Sequence, residues 1–187
     1  MMAVTADQIV TAAIHHLNDH PTASMAELAE AAGVSRATLH RHFSSRDDLL
    51  VALGRRALER WQQAQDAVGI TAAAQESDRD RLRGTLSDLL TALVEVADEH
   101  GFALTDHAMA VHPDLLRRSD ELEEREIALF AAAQRAGVLR AELPVRWISN
   151  TWYGLLVAVR ESLRRGDVAR RDMAGLLVDA FFNGAGR

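Results

Sequence analysis

The chain is expected to fold as an all-α protein: an N-terminal three-helix head of the helix-turn-helix kind, then a helical body, about nine helices in all. Three observations predict this. Apolar residues recur three and four apart along most of the chain, and no alternating strand pattern survives. Ala, Leu, Glu and Arg abound, while aromatics make up 5% of 187 residues. Only three prolines and eleven glycines occur, which excludes a Pro-rich or Gly-rich disordered chain.

Residues 5–18 place Ile9, Val10, Ala13, Ile14 and Leu17 on one stripe, and Pro21 ends the pattern. Ser24 and Glu27 form the S-x-x-E capping pattern of a second helix, with Leu28 and Ala29 on its inward face. Gly33 stands where that helix must stop and the chain reverse. Ser35 can cap a third helix, on which Leu39 and Phe43 share the core-facing side. Ala37, Thr38, His40 and Arg41 fall away from that side. A short helix with a small or polar outer face and arginines at both ends suits a major groove.

Ser44-Ser45 can cap a long helix with Asp47 and Asp48 in its first turn. Its stripe runs through Leu49, Leu50, Leu53, Ala57, Trp61, Ala64 and Val68, with no linker between head and body. Residues 69–77 read as a break. Asp78 to His100 is a strongly helical stretch ended by Gly101, and Phe102 to Met109 a shorter one. Pro113 opens a helix to Gly137, on which Glu121, Glu123, Glu124, Arg125 and Glu126 read as a solvated face. After a loop, Pro144 opens a helix to Gly166, and a last helix runs from about Arg170 to Asn183 with Gly184 as its stop.

The net charge of −6 argues at first against a nucleic-acid partner. Residues 1–50 hold six acids and three arginines, but those arginines (Arg36, Arg41, Arg46) lie together in a stretch without an acid. The basic footprint is local and modest, so DNA binding would need two copies or close shape fit. There is no lysine, and nothing in the sequence explains that. There is also no cysteine, which excludes disulfides and thiolate metal sites and fits a reducing compartment. The first ten residues show no secretory signal, and no apolar run reaches the roughly 18 residues of a membrane span. A cytoplasmic protein with no membrane association is expected.

The stretch Ser24-Met25-Ala26-Glu27-Leu28-Ala29, with Ala32-Gly33-Val34-Ser35, Thr38-Leu39 and His42-Phe43-Ser44-Ser45-Arg46-Asp47-Asp48-Leu49, resembles the TetR family of bacterial transcriptional regulators. The likeness is motif-specific over roughly residues 8–55 and rests on architecture beyond them. It implies a DNA-binding domain over residues 1–46 and an effector-binding and dimerisation domain over 47–187. Two departures stand out: most members have tyrosine where His40 stands, and many have lysine at Arg46. Histidine can still offer a ring N–H to a phosphate, and arginine keeps the charge and adds a fork.

By position, Ser24, His40 and Arg46 are expected to contact phosphates, and Arg36, Ala37, Thr38 and Arg41 to enter the groove. The resemblance implies an effector cavity near Trp61, Phe102, Met109, Phe130 and Trp152, although aromatics at helical spacing equally fill plain core. His100, Asp106, His107 and His112 match no metal-ligand spacing; polar pocket lining suits them better, and neither metal nor cofactor is expected. The resemblance also implies a homodimer through the last two helices, with Trp147, Leu156, Val159, Leu163, Leu177 and Phe181 as interface candidates. No P-loop, nucleophile elbow, dinucleotide turn or H-E-x-x-H occurs, so an enzyme is not expected.

The expected function is a sequence-specific transcriptional regulator, a repressor released from a palindromic operator by an unknown small-molecule effector. The alternative is a helical ligand-binding or protein-interaction module whose head does not bind DNA, as the acidic balance and His40 allow.

Overall fold

The computed structural model describes residues 4–105 and 112–186. Three helices build the head: α1 (Ala6–Asp19), α2 (Met25–Ala31) and α3 (Arg36–His42). Thr5 and Gln8 close a capping box on α1, and Ser24 and Glu27 do the same on α2. The turn after α2 is a Schellman motif: Val34 N–H donates to Ala29 O, and Gly33 N–H to Glu30 O. Gly33 has φ +66°, in the left-handed region that side-chain-bearing residues avoid. Leu17, Leu28 and Leu39 are fully buried, one from each helix, and each such side chain contributes about 1.5–3 kcal/mol by leaving water.

Helix α4 (Arg46–Ala67), capped by Ser45, runs from head to body. Leu49, Leu50 and Leu53 complete the head core, which extends to Leu58, Phe102, Leu115 and Leu122. The upper part of α4 packs on α6 (Arg79–Glu99) and α8 (Pro113–Arg135). Residues 69–77, read from the sequence as a break, contain the short α5 (Ile70–Ala73), which makes ten helices among the described residues. His100 caps α6, and α7 (Gly101–Thr105) follows at once. Gly101 therefore opens a helix, and a Cβ there would meet the Arg160 side chain, which would have to move.

Helices α9 (Val145–Arg165) and α10 (Arg170–Ala185) close the body against α6 and α8. Gly184 does not stop α10; the helix ends one residue later, where Gly186 N–H donates to Phe182 O. Among the described residues there is no strand, only an isolated bridge between Leu139 and Gly186. No helix among them is long and apolar enough to cross a membrane.

Two sequence expectations change. Glu126 is not on a solvated face: it is 2% exposed. It stands four residues after Leu122 and four before Phe130, on the inward stripe of α8. Of the residues expected at a dimer interface, Leu156, Val159, Leu177 and Phe181 are buried in the chain's own core and Leu163 is half-buried. They occupy the faces of α9 and α10 that meet α6 and α8. The large apolar groups those helices leave outside are Trp147, Tyr153 and Leu176, with Trp147 60% exposed.

Candidate DNA-binding face and effector cavity

On α3, Arg36, Ala37, His40 and Arg41 are exposed while Leu39 is fully buried beneath them. The 100° step between residues produces this division, and the Ser35 cap sets where the helix starts. Arg36 and Arg41 form no ion pair or hydrogen bond among the described residues, whereas most arginines beyond residue 50 are ion-paired, as Arg125 is with Asp66 and Arg146 with Glu124. Thr38 is half-buried, and its hydroxyl lies 3.0 Å from that of Ser35, which ties it into the cap.

Ser24 is exposed at the N-terminus of α2. Its hydroxyl donates to the Glu27 carboxylate at 2.7 Å and accepts from Glu27 N–H. The amide and hydroxyl of Ser24 hold Glu27 below the usual carboxylate range. Arg46, at the first turn of α4, donates to Pro21 O at 3.1 Å and to Ala23 O at 3.4 Å. It thus holds the loop that presents Ser24, a role its position in the sequence did not reveal. His42 shares the exposed last turn of α3 with His40 and Arg41; the signal was three basic residues at a helix C-terminus.

The head is fastened to the body through Asn18. Its amide donates to Asp98 O at 3.2 Å and Glu99 O at 2.8 Å, and its oxygen accepts from Phe102 N–H at 2.9 Å. One side chain on α1 so satisfies backbone groups on both sides of the α6–α7 junction. Arg56 of α4 adds an ion pair to Asp7 of α1.

Between α4, α6, α8 and α9 lies a cavity of about 390 Å³, within the range of small-molecule sites. Trp61 and Trp152, two of the residues named from the sequence, line it. Phe102 and Phe130 do not. The amide of Phe102 is fixed by Asn18 and its side chain is buried in the head-side core. Phe130 is fully buried in a ring cluster, 5.1 Å from Trp152 and 6.2 Å from Phe181 between centroids. Met109, Asp106 and His107 lie outside the described residues. The cavity also takes in His100, Tyr153, Glu123 and Glu126, of which only His100 was read from the sequence as pocket lining.

Glu126 is the unusual member. Its Oε1 accepts from Trp61 Nε1–H at 2.6 Å and Gln65 Nε2–H at 3.1 Å; Oε2 has no hydrogen-bond partner among the described residues. Burial pushes its carboxyl up to about 7, against the pull of those two donors. Glu123 is less enclosed, accepting from Ser149 at 2.9 Å and lying 4.0 Å from the exposed Arg146. Burial, together with Arg60 and Arg56, lowers His100 to about 4, so at neutral pH its imidazole is uncharged. Among the described residues no group of three or more His, Asp or Glu is placed to hold a metal ion.

A capped helix-turn-helix with a free basic outer face, joined by one helix to a body around an internal cavity, defines a DNA-binding regulator of transcription. Residues 4–53 match the family described as bacterial regulatory proteins, tetR family. The transcriptional repressor LfrR of Mycolicibacterium smegmatis is 31% identical over 162 residues, covering 84% of this chain and 78% of its own. The regulator NfxB of Pseudomonas aeruginosa is 30% identical over 184 residues, covering 96% and 93%. Among solved structures, LfrR from Mycobacterium smegmatis in complex with proflavine superposes with a TM-score of 0.77, 24% identity and coverage of 95% of this chain and 94% of that one. AibR, in complex with isovaleryl coenzyme A and operator DNA, superposes with a TM-score of 0.71 at 16% identity, over 92% and 95% of the two chains. The chain belongs to the TetR family of bacterial transcriptional regulators.

Proposed function

We propose that the protein is a cytoplasmic, homodimeric repressor that leaves a palindromic operator when a small molecule enters the cavity. The observation that carries the DNA part is the exposed face of α3, with Arg36 and Arg41 unpaired beside Ala37 and His40. In this reading Arg36, Ala37, Thr38 and Arg41 meet base edges, and Ser24, His40 and Arg46 meet phosphates. Since Thr38 Oγ1 is shared with Ser35 and Arg46 holds the 21–23 loop, both act partly by positioning their neighbours.

Residues 1–46 serve as the reader and 47–187 as the sensing and pairing unit. LfrR is named a repressor and has been solved with proflavine, and AibR with isovaleryl coenzyme A and operator DNA; both support an effector in the corresponding body of this chain. One head covers only a few base pairs, and a two-fold dimer reads two half-sites. Trp147, Gly154 and Ala158 of α9 and Leu176 and Ala180 of α10 are the exposed groups suited to the partner. An occupied cavity would displace α6, whose last carbonyls Asn18 ties to α1, and so change the spacing of the two heads.

Selection of bound fragments from the source genome, followed by salt titration, tests the DNA reading. We expect a site with two half-sites about one helical turn apart and log-log salt dependence. Arg41→Ala should lose about 1–3 kcal/mol of specific binding. Unchanged operator affinity in that variant would remove α3 from the groove.

A further inference from the structure

We propose that the cavity takes a flat aromatic cation, its charge met by the Glu126 carboxylate and its rings by Trp61 and Trp152. This rests on reading the cavity as the effector site and commits that reading to one chemical class.

The charge argument comes from the lining. No arginine reaches the cavity, and its ionisable members among the described residues are Glu123, Glu126, His100 and Tyr153. His100 is held neutral, and Arg60 and Arg56, the cations that act on it, are ion-paired with Glu99 and Asp7, so among the described residues the lining offers an anion no free cation. The nearby arginines are committed elsewhere: Arg125 to Asp66, Arg146 to Glu124, Arg118 to Gln62. Glu126 is the group left incomplete. A carboxylate 2% exposed, with one oxygen accepting two hydrogen bonds and the other without a partner among the described residues, is costly until a counter-charge arrives.

The shape argument comes from size and walls. About 390 Å³ is far more than an inorganic cation or a simple amine fills. Trp61, Trp152 and Tyr153 are the aromatic members of the lining, the residue types that stack on a delocalised cation, and Leu93, Val96 and Leu156 supply apolar contact. Trp61 couples the two features, because the indole that can stack on the ligand also holds Glu126 through its N–H. Trp152 Nε1 is buried without a hydrogen-bond partner among the described residues.

A permanent cation binds the ionised form, so its affinity should rise as Glu126 loses its proton around pH 7. Glu123 opposes that ionisation and Arg125 favours it; His100, lowered to about 4, stays uncharged between pH 6 and 8.

The test uses two tricyclic probes of nearly the same shape, N-methylacridinium and anthracene-9-carboxylate, titrated calorimetrically into the full-length protein without DNA. We expect the cation to bind at least about tenfold more tightly than the anion at pH 8, and about tenfold more weakly at pH 6 than at pH 8. Glu126→Gln should weaken the cation by about tenfold or more, remove the pH dependence and leave the anion's affinity equal or improved. Glu123→Gln should cost the cation only about two- to fivefold, since Arg146 already faces that carboxylate. Circular dichroism and melting of each variant establish that it is folded. Preference for the anion, or full cation affinity in Glu126→Gln, overturns the proposal and leaves the effector reading standing. Uptake of neither probe overturns both.

Discussion

Replacing Glu126 by glutamine should stabilise the ligand-free protein at alkaline pH and do little in acid. The carboxyl ordinarily titrates at 4.5 and in the folded chain at about 7. The folded state therefore holds the proton more tightly than the unfolded state. For such a group, stability is highest below the unfolded value, falls as pH rises from about 4.5 to about 7, and is constant above. The gap corresponds to about 2.5 kcal/mol lost by the wild-type protein on going from pH 5 to pH 8. Glutamine keeps an oxygen that can accept from Trp61 and Gln65 but carries no charge. We expect the variant to be more stable than wild type by about 2–3 kcal/mol at pH 8, some 5–10 °C in Tm for a chain of this size, and within about 0.5 kcal/mol of it at pH 5. His100 has the opposite sign, with stability lost as pH falls from about 6.5 towards 4. It is common to both proteins, so the difference between the two unfolding curves isolates Glu126. Urea unfolding at four pH values and one protein concentration reads the effect. A difference that does not change with pH, or a wild type more stable than the variant at pH 8, refutes the reasoning.

Gly33→Ala forces a Cβ onto a backbone with φ +66° and should cost about 1–2 kcal/mol in urea unfolding, although nothing crowds the site. Asn18→Ala removes three hydrogen bonds between α1 and the α6–α7 junction; the Phe102 amide should exchange with solvent at least about tenfold faster, while the Leu39 amide stays protected. Trp147→Glu should leave the fold intact, since the side chain is 60% exposed, and shift the protein to monomer in sedimentation at micromolar concentration, with about tenfold or greater loss of operator affinity. A dimer of unchanged strength would move the partner surface away from α9.

The head was legible from the sequence because its signals are local. Ser24 with Glu27, Gly33, Ser35 and the Leu39–Phe43 pair each announce a cap, a turn or a face within one or two turns of helix. The cavity was only half legible. Trp61 and Trp152 are aromatic whatever surrounds them, but Glu126 sits in an acidic run, and composition argues for solvent there. Its spacing from Leu122 and Phe130 carried the contrary signal, which counting positions along α8 would have found. The outer faces of α9 and α10 were misjudged for another reason. Apolar residues surround much of both helices, and which of them a chain spends on its own core depends on how α6 and α8 approach, a tertiary fact. The short α5 was missed because four residues are too few to show a period.

Asn18 behaves as a stand-in peptide group at a gap in the backbone ladder. Two of its bonds are donated and one accepted, all to main-chain atoms, and each requires its own direction. Such a fastening does not stretch. A head turning against the body would strain all three bonds at once, so such a joint would favour two positions, held and released, over a graded series. In the proposed dimeric sensor, such a joint would switch occupancy between two heads-apart distances, and partial loading of the cavity would yield a mixture of readers and non-readers instead of a population of weakened ones.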